Sequence, residues 1–151
     1  RAAKLEFKNI LIATDGSKHS DAAVMEAAGI AKRCSSNLFV VAVVPSESVS
    51  PLDIVNLEMQ KGLISEEELR TAEGNIKKAK DIALNEGVTV KGLILAGKPY
   101  EAITHAAKEK NADLIVVGSH GRTGLKRLLM GSVTERVIGT AECAVLVVKA
   151  K

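Results

Sequence analysis

Aromatic side chains are almost absent: they make up 2% of the 151 residues, and there is no Trp. Nucleic-acid modules that stack bases on exposed rings, such as the RNA-recognition motif and the oligonucleotide-binding barrel, need more than this. No nucleic acid is therefore expected as a partner. Cysteine is nearly as scarce. Cys34 and Cys143 form no CxxC and no metal-ligand spacing, and they fit buried, reduced thiols in a cytosolic protein better than a bridge. No apolar run approaches the ~18 residues of a membrane span, and the polar opening RAAKLEFKNI does not read as a signal peptide. The expectation is a cytoplasmic protein without a membrane partner. Charge of one sign is also lacking. The net charge is +3, with Lys and Arg mostly interleaved with Asp and Glu, as on a solvated surface. Only Arg122, Lys126 and Arg127 gather positive charge without a nearby acid.

Several catalytic signatures are missing too. There is no GxxxxGK[ST] phosphate loop and no GxGxxG after the first apolar run, so neither common nucleotide fingerprint applies. Without a GxSxG elbow a hydrolase triad has no anchor, and no carboxylate pair offers an acid and a base.

What is present is a core. Hydrophobic residues make up 46% of the chain, nearly all Ala, Val, Leu and Ile, enough for one domain over residues 1–151. Five short apolar runs alternate with helical patterns: NILIAT (9–14), NLFVVAVV (37–44), VTVKGLIL (88–95), DLIVVG (113–118) and AVLVVK (144–149). Most are continuous rather than alternating, as expected of strands covered on both faces. The first helical pattern runs from about Ser20 to Arg33. The second opens on Ser65 and Glu68, a capping box, and stops at Gly87. The third starts at Pro99, and the fourth covers Ser132 to about Gly139. Strand–helix alternation joins parallel strands by right-handed crossovers. The fold class is α/β, a single doubly wound open sheet with helices on both faces. Residues 45–64, PSESVSPLDIVNLEMQKGLI, interrupt the pattern and could hold a short helix around Leu52 to Met59.

Such sheets take ligands beyond the carboxyl ends of their strands, where strand order reverses. The first run ends in ATDGS, and the fourth leads into VVGSHGRTGLKRLLMGSVTERV. In the latter, Gly118 and Gly121 let the backbone turn and approach a ligand closely. Gly131 precedes Ser132, whose position suits a helix N-cap. The first-turn amides of Ser132, Val133 and Thr134 would then face outward with the helix dipole behind them, a ready anion site. A second capping box, Ser132 with Glu135, is the competing reading, since it would occupy those amides without a ligand. Asp15 likewise has two readings, a ligand carboxylate or an Asx turn through Gly16 and Ser17. Thr14 either touches a ligand or ends a β-branched strand. His120 lies within the glycine loop and could touch ribose or phosphate, or simply solvent. His19 and His105 read as surface residues of helices.

The ATDGS ending, the run AGKPYEAITHAAKEKNADLIVVGSHGRTG, the spacing G-x2-G-x9-G-[ST] and the closing CAVLVV together resemble the universal stress protein family over essentially the whole chain. The resemblance implies five parallel strands in the order 3-2-1-4-5, with the Asp15 loop beside the glycine loop. It also implies ATP as ligand. Ala13, Thr14, Asp15 and Val43 would line the adenine and ribose, Val43 through its backbone. Gly118, His120 and Gly121 would contact ribose and phosphates, and Gly131, Ser132, Val133 and Thr134 would hold the phosphate tail. Mg²⁺ or Mn²⁺ would come with the phosphates, not through protein ligands. Relatives commonly form a homodimer through the last strand, here 144–149; many carry Pro where Ala144 stands.

Three functions compete on this footing. The leading one is a dimeric, ATP-dependent regulator in stress physiology, read by a protein partner that the sequence does not identify. A slow ATPase, or a phosphoryl or nucleotidyl transferase, is the second, because phosphoryl transfer relies mainly on positioning and charge. The third is a dimerisation module that binds no nucleotide.

Overall fold

A computed structural model describes residues 6–46, 52–53, 64–120 and 130–150. In chain order the elements are β1 (Asn9–Thr14), α1 (Lys18–Cys34), β2 (Asn37–Pro45), β3 (Leu52–Asp53), α2 (Glu66–Asn85), β4 (Lys91–Gly97), α3 (Pro99–Glu109), β5 (Leu114–Gly118), α4 (Ser132–Thr140) and β6 (Ala144–Val148). They form one sheet in the order β3-β4-β2-β1-β5-β6. The five longer strands are all parallel. Counted without β3 they follow the order 3-2-1-4-5 that the family resemblance implied.

The apolar runs became strands because alternate residues are buried against different helices. Ile10 and Ile12 join Val40 and Val116 under Ala23, Val24 and Ala27 of α1 and Ala72, Ile76 and Ala79 of α2. Leu11 turns the other way, with Val41, Ile115 and Val117, to meet Ala102, Ile103 and Ala106 of α3 and Val137 of α4. Each fully buried Ile, Leu or Val removes enough apolar surface from water to be worth about 1.5–3 kcal/mol. The many alanines on α1 and α2 let those helices sit close to the sheet. The capping box at Ser65 forms as expected: its Oγ accepts from the Glu68 amide, and the Glu68 carboxylate accepts from the Ser65 amide.

Two departures from the sequence reading exceed one or two residues. The third long strand begins at Lys91 rather than Val88, because its ladder with β2 opens at Phe39–Lys91; Val88 and Val90 pack against the α1–α2 core ahead of it. The helix expected from Leu52 is also corrected at its start. Leu52 and Asp53 pair antiparallel with Ala96 and Leu95, since the outer edge of β4 offers backbone donors and acceptors that a second strand can use. The rest of that expected helix lies outside the described residues.

The placement of β1 between β2 and β5 sets up the site. The chain leaves β1 into α1 on one face and β5 toward α4 on the other, so the carboxyl ends of β1 and β5 adjoin. Ile12 pairs with Val116, a few residues short of both exits.

Candidate functional site

The turn after β1 is a small polar knot. Ser17 is the N-cap of α1 and its Oγ accepts from the Ser20 amide. One oxygen of Asp15, Oδ1, accepts from the Ser17 amide at 3.0 Å, which is the Asx turn foreseen as the structural alternative. Thr14 is buried. Its hydroxyl oxygen accepts from the Gly16 amide at 3.2 Å and lies 3.2 Å from Ser20 Oγ. Because Ser20 donates to the Ser17 carbonyl at 3.0 Å, the Thr14 hydroxyl is the donor of that pair. Asp15 is thus held rigidly at the switch point, and its carboxylate is oriented by backbone. Ala13 and Val43 stand beside it near the ends of β1 and β2; Thr14 pairs with Ala42, the neighbour of Val43.

Lys78 of α2, which nothing in the sequence singled out, pins this turn from outside. Its Nζ lies 2.7 Å from Asp21 and donates to the Gly16 carbonyl at 3.2 Å. The partners are 62 residues apart in the second contact, so no local pattern could have announced them.

Across the switch point, Gly118 has a definite reason to be glycine. A Cβ built there would lie 2.7 Å from the His19 carbonyl carbon, 2.8 Å from His19 Cβ and 2.9 Å from the Ser20 amide nitrogen. The end of β5 and the first turn of α1 touch backbone to backbone, and only hydrogen fits between them. The sequence reading attributed this glycine to the loop and its ligand; the helix contact requires it by itself.

The segment between β5 and α4 is closed at its base by two hydrogen bonds. The Gly131 amide donates to the Ser119 carbonyl at 2.7 Å, and the hydroxyl of Thr134 donates to the Gly118 carbonyl at 2.8 Å. Gly121, Arg122, Lys126 and Arg127 lie outside the described residues. The start of α4 corrects the sequence reading. Its N-cap is Gly131, extended at φ −74°, ψ 159°, and no side chain caps it. Ser132 is the first helical residue, which makes Glu135 the fourth. That is one place beyond the position from which a carboxylate reaches back to the cap, and the Glu135 amide bonds the Gly131 carbonyl instead. The competing capping box is therefore not formed. Ser132 and Val133 are exposed at the positive end of the helix, whereas the Thr134 side chain is buried and tied to β5. Of Thr134 the backbone amide, not the hydroxyl, remains for a ligand.

His120 and His19 meet here, with His19 only partly exposed at the surface. Their ring centroids are 5.4 Å apart. Ser119 Oγ, fully buried, sits 3.0 Å from His120 Nδ1 and 3.4 Å from His19 Nδ1. The Ala150 amide, just past β6, donates to His19 Nδ1 at 2.9 Å. Burial first, then the charges of His120 and Lys18, holds the His19 imidazole below its ordinary value, against an opposing pull from Asp15. His105 takes no part in these contacts.

The donors gathered at this site are backbone amides and hydroxyls, the set that suits phosphate oxygens. Among the described residues no group of three or more His, Cys, Asp or Glu could hold a metal ion. Both cysteines are free and half-buried; burial, with Asp113 next, pushes the Cys143 thiol up, away from its reactive form. No described helix is long and apolar enough to cross a membrane.

Comparison with known proteins fits this architecture. The sequence profile of the Universal stress protein family matches residues 6–149. A universal stress protein of Methanocaldococcus jannaschii is 43% identical over 143 residues, 95% of this chain and 82% of its own length. Among solved structures, a hypothetical protein whose biochemical function was assigned from its structure superposes with a TM-score of 0.80 at 30% identity, over 97% of this chain and 99% of that one. Two further structures share the fold: a universal stress protein of Archaeoglobus fulgidus in complex with dAMP (TM-score 0.74, 23% identity, 96% and 100% covered) and one in complex with cAMP (0.69, 24%, 97% and 100%). The chain belongs to the universal stress protein family.

Proposed function

We propose that this universal stress protein binds ATP at the carboxyl ends of β1 and β5 and works in the cytoplasm as a nucleotide-dependent regulator. The observation that carries the reading is the start of α4. Its first-turn amides carry no side-chain cap, and it opens at the same switch point as the Asp15 turn. Ala13, Thr14, Asp15 and Val43 would take the adenine and ribose; His120 and the glycine loop would take ribose and phosphate. The amides of Ser132, Val133 and Thr134 would take the phosphate tail. Two family structures hold adenine nucleotides, dAMP and cAMP, which supports adenine as the base.

Mg²⁺ or Mn²⁺ would enter on the phosphates, and this chain's residues would orient the tail and neutralise its charge through amide dipoles. Two copies would pair along β6, whose Val145, Leu146, Val147 and Val148 are half-exposed and whose outer side has no strand among the described residues. An apolar edge of that kind invites another strand. Regulation would follow from binding, because a ligand held by both the Asp15 turn and α4 braces two segments of one surface.

The reading is tested by a thermal-shift ladder. Ligands that bind only the folded state raise its melting temperature with affinity. Stabilisation should rise from adenosine through AMP and ADP to ATP as phosphates reach α4; a flat ladder would contradict it.

A further inference from the structure

The proton of the Ser119 hydroxyl can be placed from its described neighbours. The Ala150 N–H can only donate, so His19 Nδ1, its acceptor at 2.9 Å, carries a lone pair and no hydrogen. Ser119 Oγ lies 3.4 Å from that same nitrogen. Its hydroxyl is fully buried, and it has one hydrogen to give. Placed toward His19, the hydrogen shares that nitrogen's single lone pair with the Ala150 N–H; placed toward His120, it would turn an oxygen lone pair toward the lone pair of His19. With its hydrogen toward His19, the oxygen accepts from its other neighbour, His120 Nδ1, 3.0 Å away.

We propose that His19 is a positioning residue for His120: the directed chain His120 Nδ1–H to Ser119 Oγ–H to His19 Nδ1, anchored by the Ala150 amide, fixes the tautomer and orientation of His120. The inference deepens the nucleotide reading and rests on it for its functional meaning. A neutral His120 with its proton on Nδ1 keeps Nε2 as the ring's acceptor. That suits a ribose hydroxyl rather than a bare phosphate oxygen. It also links the loop mouth to the end of β6 through one side chain. Among the described residues, the charged and titratable groups that act on His19 are Lys18 on its own helix, Asp15 from the β1 turn and His120 beyond β5. Its depressed basicity accords with a ring that must stay unprotonated at Nδ1.

The test is ¹⁵N correlation spectroscopy of the histidine rings in the intact protein, about two units above the ordinary imidazole value. The three histidines would be assigned by single substitution. His120 should show the Nδ1–H tautomer in the wild type; an Nε2–H ring there overturns the proposal. In His19→Phe, which keeps bulk and removes the acceptor, the Ser119 proton turns to His120 and its ring should switch to Nε2–H. His19→Asn, whose Oδ1 restores an acceptor, should return it to Nδ1–H. A role in packing alone predicts no switch, and no switch overturns the relay. MgATP affinity should fall roughly three- to tenfold in His19→Phe, the equivalent of one lost hydrogen bond, and recover in His19→Asn; equal affinity in all three overturns the positioning role. The spectra need no nucleotide. A wild type that binds no MgATP therefore contradicts the proposed function separately, with the tautomer still judged by its spectrum.

Discussion

The hydroxyl of Thr134 donates to the carbonyl of Gly118 across 2.8 Å, joining the first turn of α4 to the last residue of β5. This bond and the Gly131 amide on the Ser119 carbonyl hold the two ends of the glycine loop together.

Thr134→Val keeps the shape of that side chain and removes its donor. The Gly118 carbonyl, part-buried, loses its partner, so stability should fall by about 1 kcal/mol. Equilibrium unfolding in urea measures it. Nucleotide affinity should fall as well, because the α4 amides lose their register with β5.

Lys78→Met should separate stability from binding. The Lys78 side chain is half exposed, and exposed ion pairs contribute at most about 1 kcal/mol, so the melting temperature should hardly move. The contact with the Gly16 carbonyl braces the Asp15 turn, and its loss should weaken nucleotide binding measurably. Calorimetric titration of a variant with unchanged melting behaviour checks this.

The fold was legible where its causes are local. The continuous apolar runs marked the five long strands because burial on both faces leaves no polar positions to alternate. The Ser65–Glu68 box was legible because both partners lie within one helical turn. The site was only half legible. Gly131 and Ser132 are both acceptable N-caps, and their choice depends on the Gly131 amide reaching Ser119, a contact across the loop. Gly118 carried the signature of a ligand glycine, although the α1 backbone alone requires it. The contacts of His19 were not legible because its partner, Ala150, is 131 residues away. Leu52 looked helical because the sequence does not show that the edge of β4 stands open to it.

Acid should weaken the fold through His19. Its folded-state value is held below the ordinary 6.5, so as pH falls the unfolded chain takes up the proton first. Its contribution is then fully present above 6.5 and is lost as pH falls through 6.5 toward the lower folded value. The melting temperature of the wild type relative to His19→Asn, followed from about two units above 6.5 to about one below, should show the wild type losing its advantage across that window. A constant gap would contradict the assignment.

Pairing through β6 should respond to charge on its outer edge. Ala144→Lys, at the exposed start of β6, places like charges along two facing copies without entering the core, and Lys is a common natural guard of exposed edges. Sedimentation equilibrium should give twice the chain mass for the wild type and a shift toward the monomer for the variant. Equal masses would remove β6 from the interface.

The central claim is that the start of α4 and the loop it closes form a nucleotide cradle. Isothermal titration of MgATP into nucleotide-stripped protein tests it most directly, alongside Gly131→Val, with circular dichroism to verify that the variant is folded. Saturable binding to the wild type that is lost in the folded variant is the predicted result. No binding to the wild type, or equal binding to both proteins, would contradict it.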